Sequence, residues 1–170
     1  EKHNFMDLLE NFILFDHSGG KTVKILARNH QYLGVNEAVE SYKARKLKDG
    51  KLGVFWHTQG SGKTALAAMS TRILRDYYAK KNISARFYYV VDRLDLLTQV
   101  SGEMQKRGLS VVNVNSKAEF EKELCKPISS HVAMNSDGEI TVVNIQKFDD
   151  EMPVAKNDYD AKIQRIMFID

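Results

Sequence analysis

Gly60-Ser61-Gly62-Lys63-Thr64 combines the residue types that hold a polyphosphate. Gly60 and Gly62 carry no Cβ, so the backbone around them can turn tightly and approach an anion closely. Successive N–H groups in such a turn, Ser61 among them, form a concave nest, and a helix starting there adds the positive end of its dipole. Lys63 supplies a compact ammonium charge for the outer phosphates. The Thr64 hydroxyl is a hard oxygen ligand of the kind Mg²⁺ takes. The chemistry these residues suit is binding of ATP with Mg²⁺, Lys63 acting on the transferred phosphoryl group.

The flanking residues fit that reading. Leu52 to Trp56 form an apolar run expected to be a buried strand, and 64–78 has helical character. Strand, glycine-rich loop and helix are the context that gives such a loop its meaning. One position departs from the commonest pattern, G-x-x-x-x-G-K-[ST]: its first glycine is His57 here. The expectation is that His57 shapes the entry to the loop; a contact to phosphate or DNA is the alternative.

Three further places carry candidate chemistry. Asp170 follows the apolar run 165–169. A carboxylate at the tip of a buried parallel strand downstream of a phosphate loop is placed to hold Mg²⁺ opposite Thr64. Gln31, in Arg28-Asn29-His30-Gln31-Tyr32, has an amide that can donate and accept at an adenine edge together; the plainer reading is an ordinary residue at a helix start. Arg28 or Tyr32 stacking on the base is a weaker idea. Arg93, after the strand 85–91, and Gln146 and Lys147, after the strand 140–145, are candidates for the backbone phosphates of DNA. Asp92 and Arg93 serve equally well as a structural pair. The basic run Lys43, Arg45, Lys46 and Lys48 reads as a solvated helix face.

These residues need elements to position them. Phe5, Leu8, Leu9, Phe12 and Ile13 recur at helical spacing, 18–21 reads as a turn, and 36–47 as a helix closed by Asp49-Gly50-Lys51. After the loop and its helix come a strand at 85–91, a helix at 92–107, a strand at 110–114 and a helix at 116–125 with Ser116 and Glu119 set as a capping box. A polar loop at 127–138, a strand at 140–145, a loop at 149–160 and a strand at 165–169 follow. Strands alternating with helices require crossovers, hence an α/β fold with a mostly parallel sheet and helices on both faces. That is the pattern of a RecA-like P-loop NTPase lobe.

Composition narrows the class. A chain of 170 residues, 43% apolar and 28% charged, has enough core for one globular domain. The net charge of +3 neither demands nor excludes nucleic acid. The single Cys125 rules out an internal disulfide framework and fits a reducing, cytoplasmic compartment. No apolar run is long enough to span a membrane. The chain starts at Glu1 and stops at Asp170, and is expected to be a piece of something longer.

RNHQY, GVFWHTQGSGKT, YYVVDRLDLLTQ, VVNIQKF and IMFID, in this order, resemble the motor (restriction) subunit of type I restriction–modification enzymes, a superfamily 2 helicase-like translocase. The resemblance covers nearly the whole chain, and FMDLLENFILFD looks like the segment joining nuclease and motor domains in that family. It implies that residues 1–30 lead in from a nuclease domain and that 31–170 form the first of two RecA-like lobes. It implies an ATP-driven translocase on double-stranded DNA, working with methyltransferase (modification) and specificity subunits. Gly60, Gly62, Lys63 and Thr64 fall on the family's phosphate and Mg²⁺ residues, Asp170 on the first acid of its D-E-A-H box, and Gln31 on its adenine-reading glutamine. Asn144 stands where a Thr is usual. Hydrolysis in this family needs nucleotide clamped between two lobes, so this stretch alone is expected to hydrolyse little. The rival readings are another superfamily 2 helicase or translocase, such as a type III restriction motor, and a non-hydrolysing nucleotide-binding scaffold.

Overall fold

The apolar period that opens the chain does form a helix, α1 (Lys2–Asn11), but it ends before Ile13. Ile13 instead begins β1 (Ile13–Asp16), which pairs antiparallel with β2 (Val23–Leu26), from Ile13↔Leu26 to Asp16↔Val23. Gly19 and Gly20, at φ 72 and 74, make the reversal in the turn anticipated at 18–21. A short apolar run fits both periods, and the cross-strand hydrogen bonds decide for the strand. Phe12 and Leu14 are fully buried and anchor the hairpin.

The computed structural model describes residues 2–45, 52–58, 60–126, 140–147 and 162–170. Those expectations that concern 46–51, Gln59, 127–139 and 148–161 lie outside the described residues, as does the side chain of Lys147. Two compact units divide the chain: residues 1–74 with 106–108, and 75–105 with 109–170.

In the first unit α2 (Asn29–Lys43) starts well before the expected 36. Its early start rests on Gln31, whose Oε1 accepts the Arg28 N–H at 2.9 Å and so satisfies a backbone donor left open by the helix. Gly34 obscured this start, because glycine is a poor helix former. Its value is close packing: a Cβ there would lie 3.2 Å from Leu66 Cδ1 and 3.3 Å from Phe55 Cε1.

The strand expected at 52–56 does not form: 52–58 has no regular secondary structure, and Val54 and Trp56 are 89% and 93% exposed. Apolar residues make a strand only where a neighbour supplies ladder hydrogen bonds, and none is present for this run among the described residues. Gly53 at φ 147 also takes the run away from strand geometry. The Leu52 carbonyl is held instead by Ser41 Oγ on α2. The helix expected at 64–78 is α3 (Lys63–Ala79), which carries the chain from one unit into the other.

The second unit contains β3 (Ser84–Val91), α4 (Leu94–Lys106), β4 (Val111–Val114), α5 (Lys117–Cys125), β5 (Ile140–Asn144) and β6 (Ile163–Ile169). The strands lie parallel in the order β4-β5-β3-β6. The predicted strands are thus present, with ends shifted by a residue or two. On one face Tyr88, Val143 and Val114 pack against Phe120 and Leu124 of α5. On the other, Ser101 of α4 donates to Asn113 Oδ1 of β4 at 2.6 Å. Helices therefore cover both faces of a parallel sheet, as expected of a RecA-like lobe.

Two arginines tie α5 down. Arg86 of β3 and Arg165 of β6 donate to the carbonyls of Glu123 and Leu124 at 3.3 and 2.8 Å, closing acceptors that the helix C-terminus leaves open. Burial pushes the Tyr88 phenol above its ordinary range, while these same two guanidinium groups act in the opposite sense. At the other end Ser116 Oγ accepts the Glu119 N–H at 3.3 Å, but Glu119 reaches the Asn115 N–H at 3.0 Å rather than that of Ser116, so the capping box is displaced by a residue. Ser116→Ala is expected to cost about 1 kcal/mol of stability, read as a lower urea midpoint at unchanged slope. An unaltered midpoint would mean the cap contributes nothing.

Candidate nucleotide-binding site

Gly60 and Gly62 have φ of 76 and 89, a region open to glycine and strained for other residues. The Thr58 carbonyl accepts the Ser61 N–H at 3.2 Å, closing the loop as a turn, and α3 begins immediately at Lys63. The first amides of α3 have no helical partner, so the loop ends in outward-facing donors. Thr64 sits beside Lys63 in the first turn of this helix.

The loop's carbonyls are held from behind. Gln31, 7% exposed, donates its amide Nε2 to the carbonyls of Ser61 and Gly62, each at 3.3 Å. His30 Nε2 lies 3.2 Å from the Ser61 carbonyl. Among the described residues there are no cis peptides, and in a trans unit the N–H points opposite to the preceding carbonyl. Holding the Ser61 and Gly62 carbonyls on the Gln31 side therefore turns the N–H groups of Gly62 and Lys63 to the other side. A side chain at Gly62 would collide with the Gln31 amide. Among the described residues Ser61 Oγ is buried without a hydrogen-bond partner. Amide donors turned to one side beside an unused hydroxyl are chemically suited to phosphate oxygens.

His57 packs its ring on His30, centroids 5.4 Å apart, and sits edge-on to Phe55 at 6.2 Å. Tyr32 packs on Phe12 at 4.6 Å. The association of Gln31 and His30 with the loop crosses thirty residues of chain and carries no local signal; only their place beside a helix start was readable.

The second group of predicted residues lies in the second unit, at the carboxyl edge of its sheet. Register places Val91 of β3 level with Asn144 of β5, and Val90 level with Ile169 of β6. Arg93, Gln146, the backbone of Lys147 and Asp170 thus leave three adjacent strands at one edge, where open α/β sheets place their ligands. The Asp170 N–H still bonds to the Val90 carbonyl at 3.0 Å, and its carboxylate accepts from Tyr89 Oη at 3.3 Å. Arg93 is exposed, 3.7 Å from the Asp92 carboxylate. Asn144 is fully buried, and its Oδ1 accepts the Gln146 N–H at 2.9 Å. It braces the turn that presents Gln146.

Among the described residues no helix is long and apolar enough to cross a membrane. The SWI2/SNF2 ATPase family signature matches residues 30–170. The HindI endonuclease subunit of a type I restriction enzyme from Haemophilus influenzae is 32% identical over 151 residues, 87% of this chain and 14% of its own. A protein from Methanocaldococcus jannaschii, provisionally described as the type I restriction enzyme MjaVIIIP endonuclease subunit, is 33% identical over 127 residues, 72% of this chain and 12% of its own. A second protein of that organism, provisionally the MjaIXP endonuclease subunit, is 28% identical over 159 residues, 87% of this chain and 13% of its own. The chain therefore spans about one seventh of the length of these relatives or less.

Proposed function

The chain belongs to the SWI2/SNF2 ATPase family, and from that premise we propose that it is the ATP-binding lobe of a double-stranded DNA translocase within a type I restriction endonuclease. The observation that carries the reading is the loop at 60–64: two glycines at positive φ, carbonyls held on one side and amides turned to the other. The likeness to endonuclease subunits adds the restriction context, and with it partner subunits for modification and DNA specificity. Residues 1–30 are the lead-in to the lobe and 31–170 the lobe itself.

In this reading the amides of Gly62 and Lys63 and the Ser61 hydroxyl bind the phosphates, and the Lys63 ammonium follows charge onto the γ-phosphate as it departs. The donors available for Mg²⁺ are the Thr64 hydroxyl and the Asp170 carboxylate, both hard oxygens suited to that ion. The metal would neutralise charge on the β and γ phosphates. Tyr89 Oη, donating to Asp170, fixes the carboxylate's orientation. Gln31 serves the adenine base as well as the loop, and Arg93, Gln146 and Lys147 take DNA phosphates at the sheet edge.

Asp170→Asn in the full-length enzyme tests this. ATP turnover should fall by about two orders of magnitude, the scale of losing one charge-stabilising group, and the Mg²⁺ midpoint should rise while ADP affinity measured without Mg²⁺ stays near wild type. Wild-type turnover and Mg²⁺ dependence in that variant would remove Asp170 from the site.

A further inference from the structure

We propose that His30 is a positioning residue of the nucleotide loop: by donating to the Ser61 carbonyl it fixes the peptide plane that aims the Gly62 N–H at phosphate. The inference rests on the proposed nucleotide site and adds a residue to it. A backbone carbonyl only accepts, so the 3.2 Å contact between His30 Nε2 and Ser61 O requires a hydrogen on Nε2. The Ser61 carbonyl thereby receives two side-chain donors, since Gln31 Nε2 reaches it at 3.3 Å. The Gln31 NH₂ carries two hydrogens, one for the carbonyl of Ser61 and one for that of Gly62. His30 approaches Ser61 alone and so adds a second hold on the peptide joining Ser61 to Gly62.

That peptide needs holding. Gly60 and Gly62 flank Ser61 at φ 76 and 89, and glycine crosses between backbone regions at little steric cost. Rotating the Ser61–Gly62 peptide would turn its carbonyl to the phosphate side and its N–H away, replacing a donor by an acceptor where an anion must sit. The unusual His57 belongs to the same device. It stands where the commonest loop pattern has glycine, and its ring packs on His30 at 5.4 Å with Phe55 edge-on behind it at 6.2 Å. The ring pair limits how far the His30 imidazole can swing from the carbonyl.

The test measures ADP affinity by calorimetry and ATP turnover in the full-length protein, for wild type, His30→Ala, His30→Phe, His30→Gln and Lys63→Ala. His30→Ala should weaken ADP binding by roughly three- to tenfold, the range for one neutral hydrogen bond, with the thermal midpoint unchanged because the side chain is exposed. His30→Phe, which keeps a ring against His57 but has no donor, should match His30→Ala. His30→Gln, which restores an N–H donor, should recover much of the affinity. If His30→Phe binds ADP as tightly as wild type, or His30→Ala shows no loss while Lys63→Ala abolishes binding, the positioning role is wrong and the nucleotide site stands. If wild type binds no ADP, both readings fall together.

Discussion

Lys63→Ala is expected to abolish ATP turnover in the full-length enzyme, and with it every ATP-dependent step on DNA. The expected loss is at least on the order of a hundred- to a thousandfold, the scale seen when one pre-aimed charge-stabilising group is removed. Lys63 is the first residue of α3, immediately after a loop whose amides are already turned outward. No neighbouring backbone donor can take over a full positive charge that must follow the γ-phosphate. The measurement is steady-state phosphate release with double-stranded DNA present, together with displacement of a strand bound ahead of the motor. It is made in the full-length enzyme because the family resemblance implies that two lobes clamp the nucleotide. ATP-dependent DNA cleavage at the wild-type rate in this variant would sink the assignment of the chain to a motor.

Gly62→Ala is the second large effect, and it follows from tertiary structure rather than from the motif. At φ 89 an L side chain is strained by about 1–3 kcal/mol. The added Cβ also falls on the Gln31 amide, so it cannot be accommodated without moving the group that holds two loop carbonyls. ADP affinity should drop by at least about tenfold, more than the loss of a single hydrogen bond explains, and the thermal midpoint should fall as well. Gly34→Ala provides the contrast. Its Cβ would meet the ends of the Leu66 and Phe55 side chains at 3.2 and 3.3 Å, which can give way, and its φ carries no such strain. Gly34→Ala should therefore change nucleotide affinity far less than Gly62→Ala. Equal affinities for Gly62→Ala and wild type would mean that the loop does not bind phosphate in this conformation.

The two glycines illustrate how much was legible. Gly62 is marked by its neighbours Gly60, Lys63 and Thr64, and the motif alone predicts its role. Gly34 carries no signal, and by weakening helix propensity it pushed the expected start of α2 from Asn29 to 36. The strands β3 and β5 were readable because runs such as Phe87-Tyr88-Tyr89-Val90-Val91 are buried on both sides, and β6, at the sheet's edge, by its apolar run. Leu52 to Trp56 has the same apolar character yet forms no strand here. The difference is a hydrogen-bonding neighbour, which composition cannot report. The hairpin β1–β2 was missed for the converse reason: Phe12 and Ile13 complete a helical period, and only the pairing of Ile13 with Leu26 and Leu14 with Ile25 reveals the strand.

Taken by itself, the sequence determined the chemistry that depends on residue type at short range: glycine's freedom in φ, the Lys63 charge, the Thr64 and Asp170 oxygens, the Ser116 cap and the alternation that demands a parallel sheet. Only the tertiary structure decided which way the loop's peptides face and which strand ends are level. Peptide orientation at Ser61 and Gly62 is set by Gln31 and His30, some thirty residues away. The level ends of β3, β5 and β6 are set by register across segments far apart in the chain. Both are products of hydrogen bonds between distant residues, whose energy depends on where the fold puts the partners and not on the local spacing of side chains.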